Sequence, residues 1–101
     1  MKREGVVKDY YASGVLKEEL SYRENRLDGV STWYDENGIP KRRAYYREGR
    51  LNGVVSIYDE SGRLKEEWRF KDGKLHGLCR FYDENGNLNK ELVFKNDKQL
   101  G

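Results

Sequence analysis

The phrase "YDENG" occupies residues 34–38 and returns at 82–86, with "YDESG" between them at 58–62 and a looser "YYASG" at 10–14. Its leading tyrosines, Tyr10, Tyr34, Tyr58 and Tyr82, are 24 residues apart each time. An acidic phrase repeated at a fixed interval is either a ligand site or a joint of the architecture. A second series decides the organisation. Gly5, Gly29, Gly53, Gly77 and Gly101 keep the same interval, so units 5–28, 29–52, 53–76 and 77–100 follow one another without insertion or deletion. Self-similarity at such a period marks a repeat fold, and residues 1–101 form one repeat domain.

Within the unit, numbered from its opening glycine, several positions keep their character. Position 2 is Val6, Val30, Val54 or Leu78; position 16 is Leu20, Ala44, Trp68 or Leu92; position 18 is Tyr22, Tyr46, Phe70 or Phe94. Together with the tyrosine at position 6, these are all even-numbered. Alternation of apolar and polar residues predicts half-buried strands. The stretch "LKEEWRF" at 64–70 shows it: Leu64, Trp68 and Phe70 share one side, Lys65, Glu67 and Arg69 the other, with Glu66 as the polar exception. A helical stripe through Leu64 and Trp68 would leave Phe70 outside it. Valine and aromatic residues also favour strands.

Each unit therefore reads as two strands. Asparagine or serine before glycine closes the first hairpin, because glycine takes positive φ without steric cost. A second turn, such as Lys71-Asp72-Gly73-Lys74, leads into the next unit. The expected fold is all-β: an elongated single-layer antiparallel meander of about eight strands, stacked as hairpins into an open half-pipe. The acids of "YDENG" are then turn residues. A calcium loop needs oxygen ligands at alternating positions over about twelve residues, which this phrase lacks.

Composition agrees with a thin core. Charged residues make up 38% of the chain and aromatic residues 13%, with a formal net charge of +2. Disordered chains are poor in aromatics and usually carry a large net charge. The near balance of 20 basic and 18 acidic residues argues against nucleic acid as a partner. Cys79 is the single cysteine, which excludes an internal disulfide framework. No apolar run reaches the roughly 18 residues of a membrane helix. The basic start of the chain has no apolar stretch behind it, so the expected location is cytoplasmic. A chain supplied without its leader would read the same.

The glycine that opens the unit, "YDENG", and the segments "FKDGKLHG" at 70–77 and "YREGRLNG" at 46–53 resemble the MORN repeat, most closely its bacterial variant type. The resemblance runs from Gly5 to Gly101. It departs at the ends, where Asn25 and Asp97 replace the glycines of Gly49 and Gly73, and Gln99 replaces leucine. Asparagine and aspartate tolerate positive φ, so both turns are expected to survive. The resemblance implies stacked hairpins and interaction rather than catalysis. A number of bacterial members are labelled antitoxin-like, which implies a protein partner such as a toxin.

A repeat protein holds its scaffold fixed and varies its binding positions. The odd-numbered positions vary most, and on that expected face stand Trp33, Tyr45, Ile57, Arg69 and Phe81. These are the candidate partner-binding residues, since Trp, Tyr and Arg are frequent binding hot spots. In the alternative reading the same residues are scaffold, covered because the sheet is rolled. Arg23, Arg47, Lys71 and Lys95 form a basic ladder at position 19, with Glu19, Glu67 and Glu91 nearby, which reads as a salt-bridged, solvated surface; a phosphate or anionic-lipid track is the competing reading. His76 reads as a turn residue and Cys79 as a half-buried filler. One His and one Cys make no zinc set, and no nucleophile–base arrangement is visible, so neither metal, cofactor nor catalysis is expected.

The functional expectation is a non-enzymatic protein-binding module, with an antitoxin or immunity-like role implied by the resemblance. The alternatives are a structural scaffold, a piece of or design on a longer array, self-associating through unpaired sheet edges, and a weak binder of anionic lipid.

Overall fold

The computed structural model describes residues 3–101, and among them every regular element is a strand. Unit one supplies β1 (Gly5–Tyr10), β2 (Leu16–Arg23) and β3 (Arg26–Leu27); unit two β4 (Gly29–Tyr34), β5 (Pro40–Arg47) and β6 (Arg50–Leu51). Unit three supplies β7 (Gly53–Tyr58), β8 (Leu64–Lys71) and β9 (Lys74–Leu75); unit four β10 (Gly77–Tyr82), β11 (Leu88–Lys95) and β12 (Lys98–Leu100). The eight longer strands are the eight expected; the four short ones are return strokes that fold back on the strand just left. All pairing is antiparallel, in the order β1-β2-β4-β5-β7-β8-β10-β11-β12, and the sheet stays open. Its Cα extents are 46 × 31 × 13 Å, an elongated single layer bent and twisted out of plane.

Two turns per unit make this meander. In the first, the aspartate of the phrase caps its own loop. Asp35 Oδ1 accepts the amides of Asn37 at 2.8 Å and Ile39 at 3.0 Å, while Gly38, at φ 84°, donates to the Asp35 carbonyl. Asp59 and Asp83 repeat the arrangement. The phrase is a joint.

The second turn places two consecutive residues at positive φ, the geometry that suits a two-residue hairpin. Glu48 and Gly49 have φ 50° and 82°; Asn25 and Asp97 take 66° and 71° where glycine stands elsewhere, so both divergent turns keep their shape. These turns are stitched to the unit before. The amides of Glu24, Glu48, Asp72 and Asn96 meet side-chain acceptors on Glu4, Asp28, Asn52 and His76, the last at 3.4 Å. His76 is thus a turn residue with a defined task.

One expectation needs correction. In every long hairpin an odd position of the first strand lies opposite an even position of the second: Ser31 faces Ala44, Val55 faces Trp68 and Cys79 faces Leu92. Directly opposed residues share a face. Even positions therefore share a side within one strand but change sides across the hairpin. One face carries positions 3, 5, 14, 16 and 18; the other carries 2, 4, 15 and 17. A register shift just before the tyrosine, between Ile57 and Tyr58 for example, adds one residue on the second strand and ends the regular alternation there.

The core lies on the first face and is small. Ser31, Ala44, Val55 and Cys79 are buried, and Cys79 is fully enclosed rather than half-buried. Trp68 packs edge-on against Phe81 with ring centroids 5.1 Å apart.

Candidate functional site

The five sequence candidates do not share a face. Trp33, Ile57 and Phe81, at position 5, lie on the core face, half-buried, each opposite a position-14 side chain. Arg42 holds its guanidinium 4.7 Å from the Trp33 ring centre, and the Lys90 ammonium sits 5.1 Å from that of Phe81. These cation–π contacts give position 5 a packing role.

Tyr45 and Arg69, at position 17, lie on the opposite face and are exposed. Their place follows from the glycine that opens the next unit. Tyr45 crosses Gly53, and Arg69 crosses Gly77 so closely that a Cβ there would stand 2.8 Å from its Cδ. Gly77 has φ 110°, so position 1 needs glycine both for its backbone and for the side chain lying over it.

Around Tyr45, the residues Val30, Arg43, Asn52, Val54 and Ser56 line a shallow depression of about 640 Å³. Val30 and Tyr45 are 42% and 46% exposed, so its apolar floor is open to solvent. Val30, Val54 and Arg43 were not among the partner-binding candidates read from the sequence, where Val30 and Val54 stood as constant scaffold; the signal that would have found them is the odd-to-even pairing across the hairpin.

The charges of this face are unequal. Arg23, Arg47, Lys71 and Lys95 at position 19 continue the alternation of their strands onto it, and Arg26, Arg50, Lys74 and Lys98 lie directly opposite them in the short strands. Lys8, Arg43, Arg69 and Arg80 join them, giving twelve cations against Glu19, Glu67 and Glu91 of the strands, while the turn acids Glu24, Asp28 and Glu48 gather beside Arg23 and Arg26. The strand acids are already engaged. Tyr34 donates its hydroxyl to Glu19 Oε1 at 2.8 Å, Tyr82 donates to Glu67 Oε1 at 2.6 Å, and Arg80 Nε bonds Glu91 at 3.1 Å. The hydrogen bond to the carboxylate, with desolvation second, holds the phenols of Tyr34 and Tyr82 above their usual range. Among the described residues the ion pairs are Arg80–Glu91 and Arg63–Asp59, so the position-19 ladder is not salt-bridged as expected. Tyr34 and Tyr82 of the phrase are accordingly cross-strand residues that tie one unit to the next.

Among the described residues, no three His, Cys, Asp or Glu side chains are grouped to hold a metal ion. The family model described as the MORN repeat variant matches residues 3–24, 27–48, 51–72 and 75–96. The chain belongs to the MORN-repeat family. No curated protein gives a significant match. MORN repeats are binding modules for proteins or membranes, and the family is not known for catalysis. On this MORN sheet the turn residues and the strand residues at positions 16 and 18 keep their character, while position 17 varies from Ser21 to Tyr45, Arg69 and Val93.

Proposed function

We propose that this chain is a non-enzymatic protein-binding module whose partner docks on the face that bears Tyr45 and Arg69. The observation that carries this reading is the surplus of cations on that face around an open apolar depression. An apolar floor edged by Arg43, on a face rich in Arg and Lys, suits an acidic protein surface that inserts one hydrophobic side chain, since Tyr and Arg anchors supply much of the energy of such interfaces. In its finer form the partner is a toxin, and the chain an antitoxin or immunity-like protein that covers it; this step rests on the resemblance to the bacterial variant repeats. Affinity capture from the native host, repeated with Tyr45→Ala and Arg69→Glu, tests the reading. Loss of the captured partner with both variants, at unchanged melting temperature, supports it. Capture undiminished by either variant moves the interface off this face.

The same cation surplus favours one second reading, an anionic membrane surface, to which basic residues near the bilayer each add about 1 kcal/mol. Co-sedimentation with phosphatidylserine vesicles that fades as salt rises would select it over the protein reading.

A further inference from the structure

We infer that two copies of this chain join head to tail, with β1 of one copy laid beside β11 of the other so that the sheet continues across the junction. This contact uses the two edges of the sheet rather than the depression around Tyr45.

Each internal junction has one register. Positions 14 and 15 of a unit lie opposite positions 5 and 4 of the next: Glu18 and Glu19 face Trp33 and Thr32, Arg42 and Arg43 face Ile57 and Ser56, Glu66 and Glu67 face Phe81 and Arg80. Carried one step further, the register sets Lys90 opposite Asp9 and Glu91 opposite Lys8. Both are opposite-charge pairs, and opposed charges on neighbouring strands stabilise a sheet while like charges destabilise it.

The first unit also lacks what its successors receive. Val7 is 38% exposed, whereas Ser31, Val55 and Cys79 at the same position are at most 4% exposed. Gly29, Gly53 and Gly77 lie under a position-17 side chain, and Gly5 has open space in its place. Val93 is the position-17 residue that would cover it, and Val93 is itself 41% exposed. Tyr10, 54% exposed, is placed to reach Glu91 as Tyr34 reaches Glu19 and Tyr82 reaches Glu67.

Arg3 and Glu4 hold the repeat positions that Gln99 and Leu100 hold at the other edge, so the joined pair keeps one of the two segments. Glu4 fits better. Its carboxylate already accepts the Glu24 amide, in the manner of Asp28 and Asn52, while Leu100 has no acceptor to offer. The short β12, exposed throughout and paired over three residues of β11, gives way. Because the two edges differ, the contact is heterologous and builds open chains rather than a closed dimer.

Sedimentation velocity on the 101-residue chain over a concentration series tests this, with K8E/D9K and K90E/E91K as variants and circular dichroism to confirm that both fold. The wild type should sediment faster as concentration rises, an effect weakened by salt. Each variant alone should associate at least about tenfold more weakly, because both cross-strand pairs become like charges. An equimolar mixture of the two variants restores opposite charges and should recover association. A wild type that stays monomeric overturns the inference. So does association lost in only one variant, which indicates like-with-like edge pairing, or a mixture no stronger than its components.

Discussion

The hydroxyl of Tyr82 donates to Glu67 across the boundary between the third and fourth units, at 2.6 Å. Tyr34 and Glu19 make the same contact between the first and second. At the middle boundary Arg43 stands where an acid is needed, beside Tyr58. A carboxylate that accepts from a phenol resists the phenol's ionisation, which raises the pKa of Tyr34 and Tyr82 above 10. The stability these bonds contribute is therefore fully present below pH 10 and declines as pH rises through the raised values. Phenolate absorbance on alkaline titration should show a late component that disappears in Y34F/Y82F. A double variant that loses two phenols' worth of absorbance but keeps the late component would mean that these hydroxyls do not act as struts.

Arg43 gives the complementary expectation. R43E supplies the missing acceptor for Tyr58 and relieves the cation crowding on that face. Its melting temperature should rise, and Y58F should cancel the rise. A gain that survives Y58F would mean that charge balance alone produced it.

The opening glycines are constrained by backbone more than by space. G77A forces alanine to φ 110° and against Arg69; the left-handed backbone alone costs about 1–2 kcal/mol. Arg69 can swing aside, so R69A in the same molecule should recover little of the loss. Urea denaturation of G77A, R69A and the double variant decides this. Full recovery in the double variant would mean that the clash with Arg69, and not the backbone, causes most of the loss.

The period, the strands, the turn chemistry and the openness of the sheet were legible because each depends on local residue type: glycine at positive φ, aspartate capping its own loop, alternation along one strand. The grouping of Trp33, Tyr45, Ile57, Arg69 and Phe81 was not. Which residues share a face across a hairpin depends on how the loop sets the register, and a one-residue change moves every side chain to the other side. Asp9 and Lys90 lie at opposite ends of the sheet, and their complementarity becomes visible only when the register of the inner junctions is known.

The residue at position 24 has a single recurring task. Asp28 and Asn52 each accept a backbone amide from the next unit's second turn, those of Glu48 and Asp72. Removing such an acceptor should cost about 0.5–1.5 kcal/mol, the usual net worth of one hydrogen bond. D28A and N52A should each lower the urea midpoint, with the added cost of both close to the sum, since they serve different turns. Strong non-additivity would mean that the stacked turns behave as one cooperative ladder.

Cys79 tests the core. Its thiol is fully enclosed and lies 3.4 Å from the Arg69 amide, as the Ser31 hydroxyl lies 3.5 Å from the Ser21 amide. The position thus takes a small residue with a lone pair aimed at the preceding strand. C79S should fold with a modest loss of stability, because serine already performs this task one unit pair away. C79L adds volume where the closely packed sheet has none to give, and overpacking of this kind typically costs about 1–3 kcal/mol. Labelling of the native protein with a thiol reagent should proceed only as fast as the enclosing strands open, and in denaturant at once. Fast labelling of the folded chain would show that the narrow core at this position opens without unfolding the sheet.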